Sequence, residues 1–318
     1  MDDQPACGVA ATAPGTLPRV TAPTLVLLAA GMGSRFGGPK QIAPIGPGGS
    51  ALIDYAARDA MAAGFGRLVL IVRGEIAEAV ESHIRRQWPA ELRPEYVRQD
   101  LEPAAVAATS AGRQKPLGTA HALVAAAPSL EGGPFAVANA DDLYGASAFA
   151  LLAEHLRRGG SHALVGYRLA NTLLGDRPVN RALCEVDAGG NVTGIVEGAV
   201  HVGDGDGEGG DPELTWRPIG APETDARLMK GDEPVSMNLW GFTPAIMPVL
   251  NDAFAAFSAG DRIAAGEELF LPNVVGEHLR SAGGDLTVTM LVSDDRCLGV
   301  THPDDVPLLQ ETLTGPAW

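Results

Sequence analysis

The feature that most constrains this chain is a recurring pair: a short apolar run, then a stretch at helical spacing. Thr24-Leu-Val-Leu-Leu-Ala-Ala30 is the first run, and it stops at Gly31. A strand buried on both faces, as in a parallel sheet, reads this way. Gly31 to Ser50 is dense in glycine, and residues 51–63 then read as an Ala-rich helix stopped by Gly64 and Gly66. Arg67–Val72 repeats the strand signature and 75–87 is again helical. The alternation continues through strands at Tyr96-Val97, Pro134–Ala138 and Ala163–Tyr167, with helices at Ala120–Ala127 and Ala146–Arg157 between them. The fold expected is α/β, with a mostly parallel sheet flanked by helices.

From residue 182 the pattern changes. Leu183–Val186, a turn at 187–191 and Val192–Val196 read as a hairpin, so antiparallel strands join the sheet. Helices are expected at about 244–257 and 267–281, and a strand at Leu286–Val292. Residues 1–22 lack periodicity and read as a disordered leader. Residues 201–233, rich in Gly, Asp, Glu and Pro, read as a flexible acidic insertion in one domain spanning 23–318.

Charge narrows the partners. Lys and Arg number 23 against 39 Asp and Glu, a formal net charge of −16. Nucleic-acid backbones need clustered cations, so none is expected as a partner, and a phosphate ligand must be held by a local positive site. No apolar run approaches the ~18 residues of a membrane span. Cys7, Cys184 and Cys297 form no CxxC pair and leave an odd count, which suits a reducing compartment. Acids near the start, with no apolar core segment, do not read as a secretory signal, so a cytoplasmic location is expected.

The glycine loop after the first strand carries the chemistry. It runs Leu28-Ala-Ala-Gly31-Met-Gly33-Ser34-Arg35-Phe36-Gly-Gly-Pro39-Lys40-Gln41. Glycines let backbone N–H groups approach phosphate oxygens. A Walker A loop fails, because Lys40 stands between Pro39 and Gln41. A dinucleotide fingerprint needs glycine where Phe36 stands, and an acid where the second strand ends at Arg73. The pattern L-A-A-G-x-G-[ST]-R-x-G-x-P-K resembles the signature loop of the nucleoside-triphosphate-transferase superfamily, of the sugar-1-phosphate nucleotidylyltransferase type. That resemblance implies a Rossmann-like, GT-A-type sheet with an antiparallel sugar-binding portion. It implies Arg35 on the triphosphate, Lys40 bridging the α-phosphate and the incoming phosphate, and Ala30, Gly31, Gly33 and Ser34 as nucleotide-binding loop positions.

Other segments extend the resemblance. Arg113-Gln-Lys-Pro-Leu-Gly118-Thr119-Ala-His121 is similar to the base-recognition loop, with Arg113 where many relatives carry Gln. It implies nucleotide contacts at Arg113, Gly118 and Thr119; read alone, Thr119 is a helix cap. Asn139-Ala-Asp141-Asp142 ends a buried strand, where open α/β sheets bind ligands. By resemblance Asp141 is the ligand of Mg²⁺, with Asn139 and Asp142 as substrate-binding neighbours. The segment Val186 to Glu197 resembles the hairpin whose final Glu takes sugar hydroxyls. A basic residue commonly follows that Glu, and Gly198 stands here instead. The acceptor phosphate then falls to Lys40 alone or to Arg181. Asn238 is the second hydroxyl-binding candidate, and Trp240 and Phe242 read as core. For a second metal ligand, Thr301 occupies the relatives' position; Asp294, Asp295, or phosphates and water stand as alternatives. His83, His155, His162, His201 and His278 show no ligand spacing and read as surface or capping residues.

The resemblance implies an enzyme that condenses an NTP, UTP or dTTP first, with a sugar 1-phosphate to give an NDP-sugar and pyrophosphate. Cytidylyl or guanylyl transfer to a non-sugar phosphate, of molybdenum-cofactor or phosphocholine type, is the neighbouring reading. A nucleotide-sensing module without turnover is a third. The sequence leaves the oligomeric state open, a homo-oligomer included.

Overall fold

The computed structural model describes residues 22–31, 39–100, 115–130, 132–203, 213–281, 286–300, 302–313, 315 and 317. The leader lies outside them. Strand β1 (Thr24–Leu28) is buried at every position and sits between two parallel neighbours, β2 (Arg67–Val72) and β4 (Phe135–Asn139). Strand β3 (Glu95–Arg98) extends the parallel part beyond β2. Successive side chains of a strand point to opposite faces. Leu25 and Leu27 accordingly join one core with helices α1 (Leu52–Ala62), α2 (Gly74–Gln87) and α4 (Ala146–Arg158). Val26 and Leu28 join the other, with α3 (Thr119–Ala125), α5 (Ile246–Ala259) and α6 (Leu271–Arg280). Two-sided burial is why β1 reads as an unbroken apolar run.

On the far side of β4 the sheet turns antiparallel. Strand β11 (Pro234–Phe242) pairs antiparallel with β4, β6 (His162–Arg168) and β7 (Val179–Val186). Strand β8 (Val192–Val202) follows β7 as the expected hairpin, longer than the sequence suggests. Strand β12 (Val288–Ser293) adds parallel to β6. The short strands β5 (Asp142–Leu143) and β13 (Leu298–Gly299) pair with each other near the site, and α7 (Asp305–Gln310) lies near the end of the chain.

Two expectations are corrected. Within the expected insertion at 201–233, residues 204–212 lie outside the described ones. The remainder is not a loose excursion: β9 (Leu214–Pro218) and β10 (Arg227–Met229) continue the sheet antiparallel beyond β8. Leu214 and Trp216, two apolar residues at strand period in a polar stretch, pack on Val200, Val235 and Leu169. Composition hid that alternation. Secondly, His83 and His162 are buried core residues rather than surface ones. His83 faces Asp54, and His162 Nδ1 accepts the Thr243 N–H at 3.2 Å. His155 matches its capping role, with Nε2 at 3.0 Å from Ser161 O. Among the described residues, no helix is long and apolar enough to cross a membrane.

Candidate active site

Because β1 and β4 are parallel and in register at Leu28 and Asn139, they end together. The segments that leave the two strands therefore share one edge of the sheet. After β1 come Ala29, Ala30 and Gly31, the start of the glycine loop; after β4 come Ala140, Asp141 and Asp142. Lys40, opening a 3-10 turn over Lys40–Ile42, reaches across, and its Nζ lies 2.7 Å from Asp141 Oδ2. Those side chains are 18% and 28% exposed, so the pair is open to a ligand. Beside it, Gln41 Nε2 donates to Gly31 O at 2.7 Å. Gln41 Oε1 is the one buried side-chain polar atom among the described residues without a hydrogen-bond partner. A buried acceptor left open is costly unless something completes it. Gln41 is not among the residues that the sequence singles out; its place directly after Lys40 was the signal.

The second carboxylate is held differently. Asn139 Nδ2 donates to Asp142 Oδ2 at 2.8 Å. Asn238 Nδ2 donates to Asn139 Oδ1 at 2.8 Å, and Trp240 Nε1 to Asn238 Oδ1 at 2.7 Å. Asn238 is the one non-glycine residue among those described with a positive φ, 62°. It sits where the β11 register against β6 shifts between Ser236 and Trp240. A bulge and a left-handed residue re-aim a side chain, here toward Asn139. Tyr144, also unforeseen, accepts the Asn139 N–H at 2.9 Å and donates to Met237 O at 3.0 Å. Asn139 and Asn238 thus brace Asp142, and most of their amide capacity is spent within the protein.

Burial, and then the charge of Asp141, push the Asp142 carboxyl up to about 6, while Asn139, Lys40 and Arg181 act the other way. The folded-state value lies above the ordinary 3.8, so the contribution of Asp142 to stability is whole below that pH and lost as pH rises through about 6. For His162, burial holds the value down at about 4, below 6.5, so its contribution runs oppositely and is lost as pH falls. Asp142→Asn is expected to raise the melting temperature at pH 7.5, with the gain vanishing by pH 4. Thermal melts between pH 4 and 8 in EDTA check this; a gain independent of pH would contradict it.

Gly118 has φ 104°, and a Cβ there would run into the Leu269 backbone. Its carbonyl accepts Gln99 Nε2 at 2.8 Å. Thr119 Oγ1 accepts the Leu271 N–H at 2.8 Å, so Thr119 caps α6 rather than its own helix. Acceptor groups expected on a base edge are therefore engaged within the protein, leaving the Thr119 hydroxyl proton as a donor.

Residues 25–174 match the family model described as a MobA-like NTP transferase domain. Over those residues, a little under half of its length, the chain is similar to a nucleotidyltransferase domain. Two solved structures share the fold across nearly the whole length. One is the inositol-1-phosphate CTP transferase from T. maritima, at 15% identity and a TM-score of 0.58, covering 91% of this chain and 95% of that one. The other is the UTP-bound UGPase from Acinetobacter baumannii, at 15% identity and 0.55, covering 91% and 93%. No curated protein sequence matches the chain.

The other residues expected at the site are found as follows. Glu197 is exposed on β8, and its carboxylate makes no hydrogen bond to a described residue. Asp294 pairs with Arg168 at 3.0 Å, and Asp295 Oδ2 accepts the Ala148 N–H at 2.9 Å, within the first turn of α4, so both alternative carboxylates have partners within the protein. At position 198, any Cβ would collide with the Trp216 indole, which explains the absence of a basic residue there. Gly33, Ser34, Arg35, Arg113 and Thr301 lie outside the described residues.

Proposed function

We propose that the domain transfers a nucleotidyl group from UTP or dTTP to a sugar 1-phosphate, with Mg²⁺, releasing pyrophosphate. The observation that carries this reading is the Lys40–Asp141 pair, a cation and a carboxylate open to ligand beside the start of the glycine loop. An oxygen of the acceptor phosphate attacks the α-phosphorus. The bond from that phosphorus to the oxygen bridging the β-phosphate breaks, and pyrophosphate leaves with the electron pair. The acceptor is already anionic, so no general base is required, and catalysis consists of positioning and charge neutralisation.

Lys40 exchanges Asp141 for the α-phosphate and the incoming phosphate, and Arg35 meets the charge growing on the leaving pyrophosphate. Hard Mg²⁺ takes oxygen ligands and needs only one or two carboxylates besides phosphate and water. Asp141 fits that chemistry, and among the described residues no group of three or more His, Cys, Asp or Glu gathers into a protein cage. When bound, the ion supplies further charge neutralisation on the phosphates. Asn238 and Glu197 are the side chains we assign to acceptor hydroxyls, Asn238 through the one amide N–H its network leaves over.

A second reading, CTP or GTP with a non-sugar phosphate, is favoured by the MobA-like match and by the likeness to a CTP-using transferase. Pyrophosphate release, crossing UTP, dTTP, CTP, GTP and ATP against sugar 1-phosphates and inositol 1-phosphate, separates the two. Release with UTP or dTTP that requires a sugar 1-phosphate is the expected result. Release confined to CTP or GTP would move the assignment to the second reading. NTP binding without release under any pairing would overturn both.

A further inference from the structure

An indole carries one polar group, an N–H that donates and never accepts. Trp240 is fully buried, and its Nε1 is spent on Asn238 Oδ1 at 2.7 Å. That contact fixes which end of the Asn238 amide is oxygen and which is nitrogen. Asn238 Nδ2 therefore turns to Asn139 Oδ1, at 2.8 Å, and Asn139 Nδ2 in turn to Asp142 Oδ2, at 2.8 Å. An ionised carboxylate only accepts, so the far end of the chain imposes the same direction. Neither amide can flip without setting donor against donor or oxygen against oxygen.

The direction decides what the pair has left for a ligand. An amide nitrogen has two hydrogens, and Asn139 and Asn238 each give one within the protein. Asn238 Oδ1 is turned to the buried indole and Asn139 Oδ1 to Asn238. One N–H therefore remains on each residue, and both residues are only half-buried. They stand at the end of β4, two residues before Asp141, where the bulge and the positive φ of Asn238 hold it. Asp142, the carboxylate beside them, has little to offer a cation. Its Oδ2 is on Asn139, and its Oδ1 lies so close to Gly299 that a Cβ there would collide with it.

We infer that Trp240 is a positioning residue that makes the Asn139–Asn238 pair a donor-only subsite, where the acceptor molecule presents a lone-pair oxygen and not an amino group. This rests on the nucleotidyl-transfer reading above and narrows its acceptor class. A hydroxyl or carbonyl oxygen takes the two N–H groups through its lone pairs. An ammonium group has three hydrogens and no lone pair, so it faces two N–H groups with its charge unpaired and is rejected.

The test uses the full chain and steady-state pyrophosphate release at pH 7. The acceptors are hexose 1-phosphates in which one hydroxyl at a time is replaced by fluorine, which has lone pairs and no hydrogen, or by an amino group, protonated at this pH. At one ring position the amino compound is expected to fall on the order of 100-fold in kcat/KM below the fluoro compound. In Trp240→Phe the amides are free to flip, and that ratio is expected to shrink to within about fivefold, whatever happens to turnover itself. An indole that serves only as core would lower both compounds alike, and an unchanged ratio would overturn the proposal. A wild type with no such ring position would also overturn it. Asn238→Asp keeps the left-handed backbone accessible and replaces the spare N–H by an acceptor, so it should favour the amino compound. If Trp240→Phe does not melt cooperatively, this variant decides, and a preference unchanged from wild type rejects the donor subsite. If the wild type releases no pyrophosphate with any acceptor, it is the nucleotidyl-transfer reading that fails. Calorimetric titration with the fluoro and amino compounds then decides on the pair. Tighter binding of the fluoro compound at one position, lost in Asn238→Asp, supports the donor subsite, and equal or absent binding rejects it.

Discussion

Lys40→Met is expected to lower turnover by about 10²–10⁴-fold, with the melting temperature almost unchanged. The two effects separate because of where the pair sits. Lys40 and Asp141 are partly exposed, and an ion pair of that kind contributes about 0–1 kcal/mol to stability. In the transition state the same ammonium meets charge building on phosphate oxygens, where its absence is felt in full. Asp141→Asn is expected to cost a similar factor. The double variant should be little worse than the worse single one, because the two side chains serve one constellation. Lys40→Arg should not restore activity, since a planar fork cannot replace a compact charge in this gap. Single-turnover pyrophosphate release with parallel thermal melts measures all four proteins. Near-wild-type turnover in Lys40→Met or Asp141→Asn would sink the site assignment.

The largest loss of stability is expected from a residue outside the chemistry. Asp54, fully buried in α1, gathers three donors: the Ala51 N–H at 2.7 Å, Trp88 Nε1 at 2.6 Å, and His83 Nε2 at 3.0 and 2.9 Å from its two oxygens. Through them it ties the start of α1 to α2 and to the residue that ends α2. Asp54→Ala removes the shared acceptor, and breaking a buried polar cluster of this kind costs about 3–5 kcal/mol. For a chain of this size that lowers the melting temperature by roughly 10 °C. Asp54→Asn keeps one acceptor oxygen and should lose about half as much. Turnover per folded molecule at 25 °C should stay near wild type, since Asp54 touches neither Lys40 nor Asp141. A melting temperature within about 2 °C of wild type in Asp54→Ala would show that the cluster is not stabilising.

Much of the fold is legible locally. The unbroken apolar run of β1, its stop at Gly31 and the helix after Ser50 come from burial on both faces and from residues that end elements. The Asp141-Asp142 pair reads as a site because it ends a buried strand, where open α/β sheets bind their ligands. The histidines show the limit. His83 has no ligand spacing and reads as a surface or capping residue, yet it is buried against Asp54 of another helix. Trp216 is hidden in an acidic stretch, although it packs fully buried and decides what position 198 can hold.

The sequence by itself determined most of the elements and the α/β class, and it marked the glycine loop and the acidic strand end as segments of a site. Steric preference and apolar periodicity act over a few residues, so they fix local elements but not which strands lie side by side. Only the tertiary structure decided which side chains meet. Lys40 reaches Asp141, the Asn139–Asn238–Trp240 chain braces Asp142, and Arg181 lies opposite Gly198 because of strand order and register. Those contacts join residues far apart in the chain. Their energies depend on desolvation and on which neutral or charged groups lie nearby, quantities that no local pattern carries.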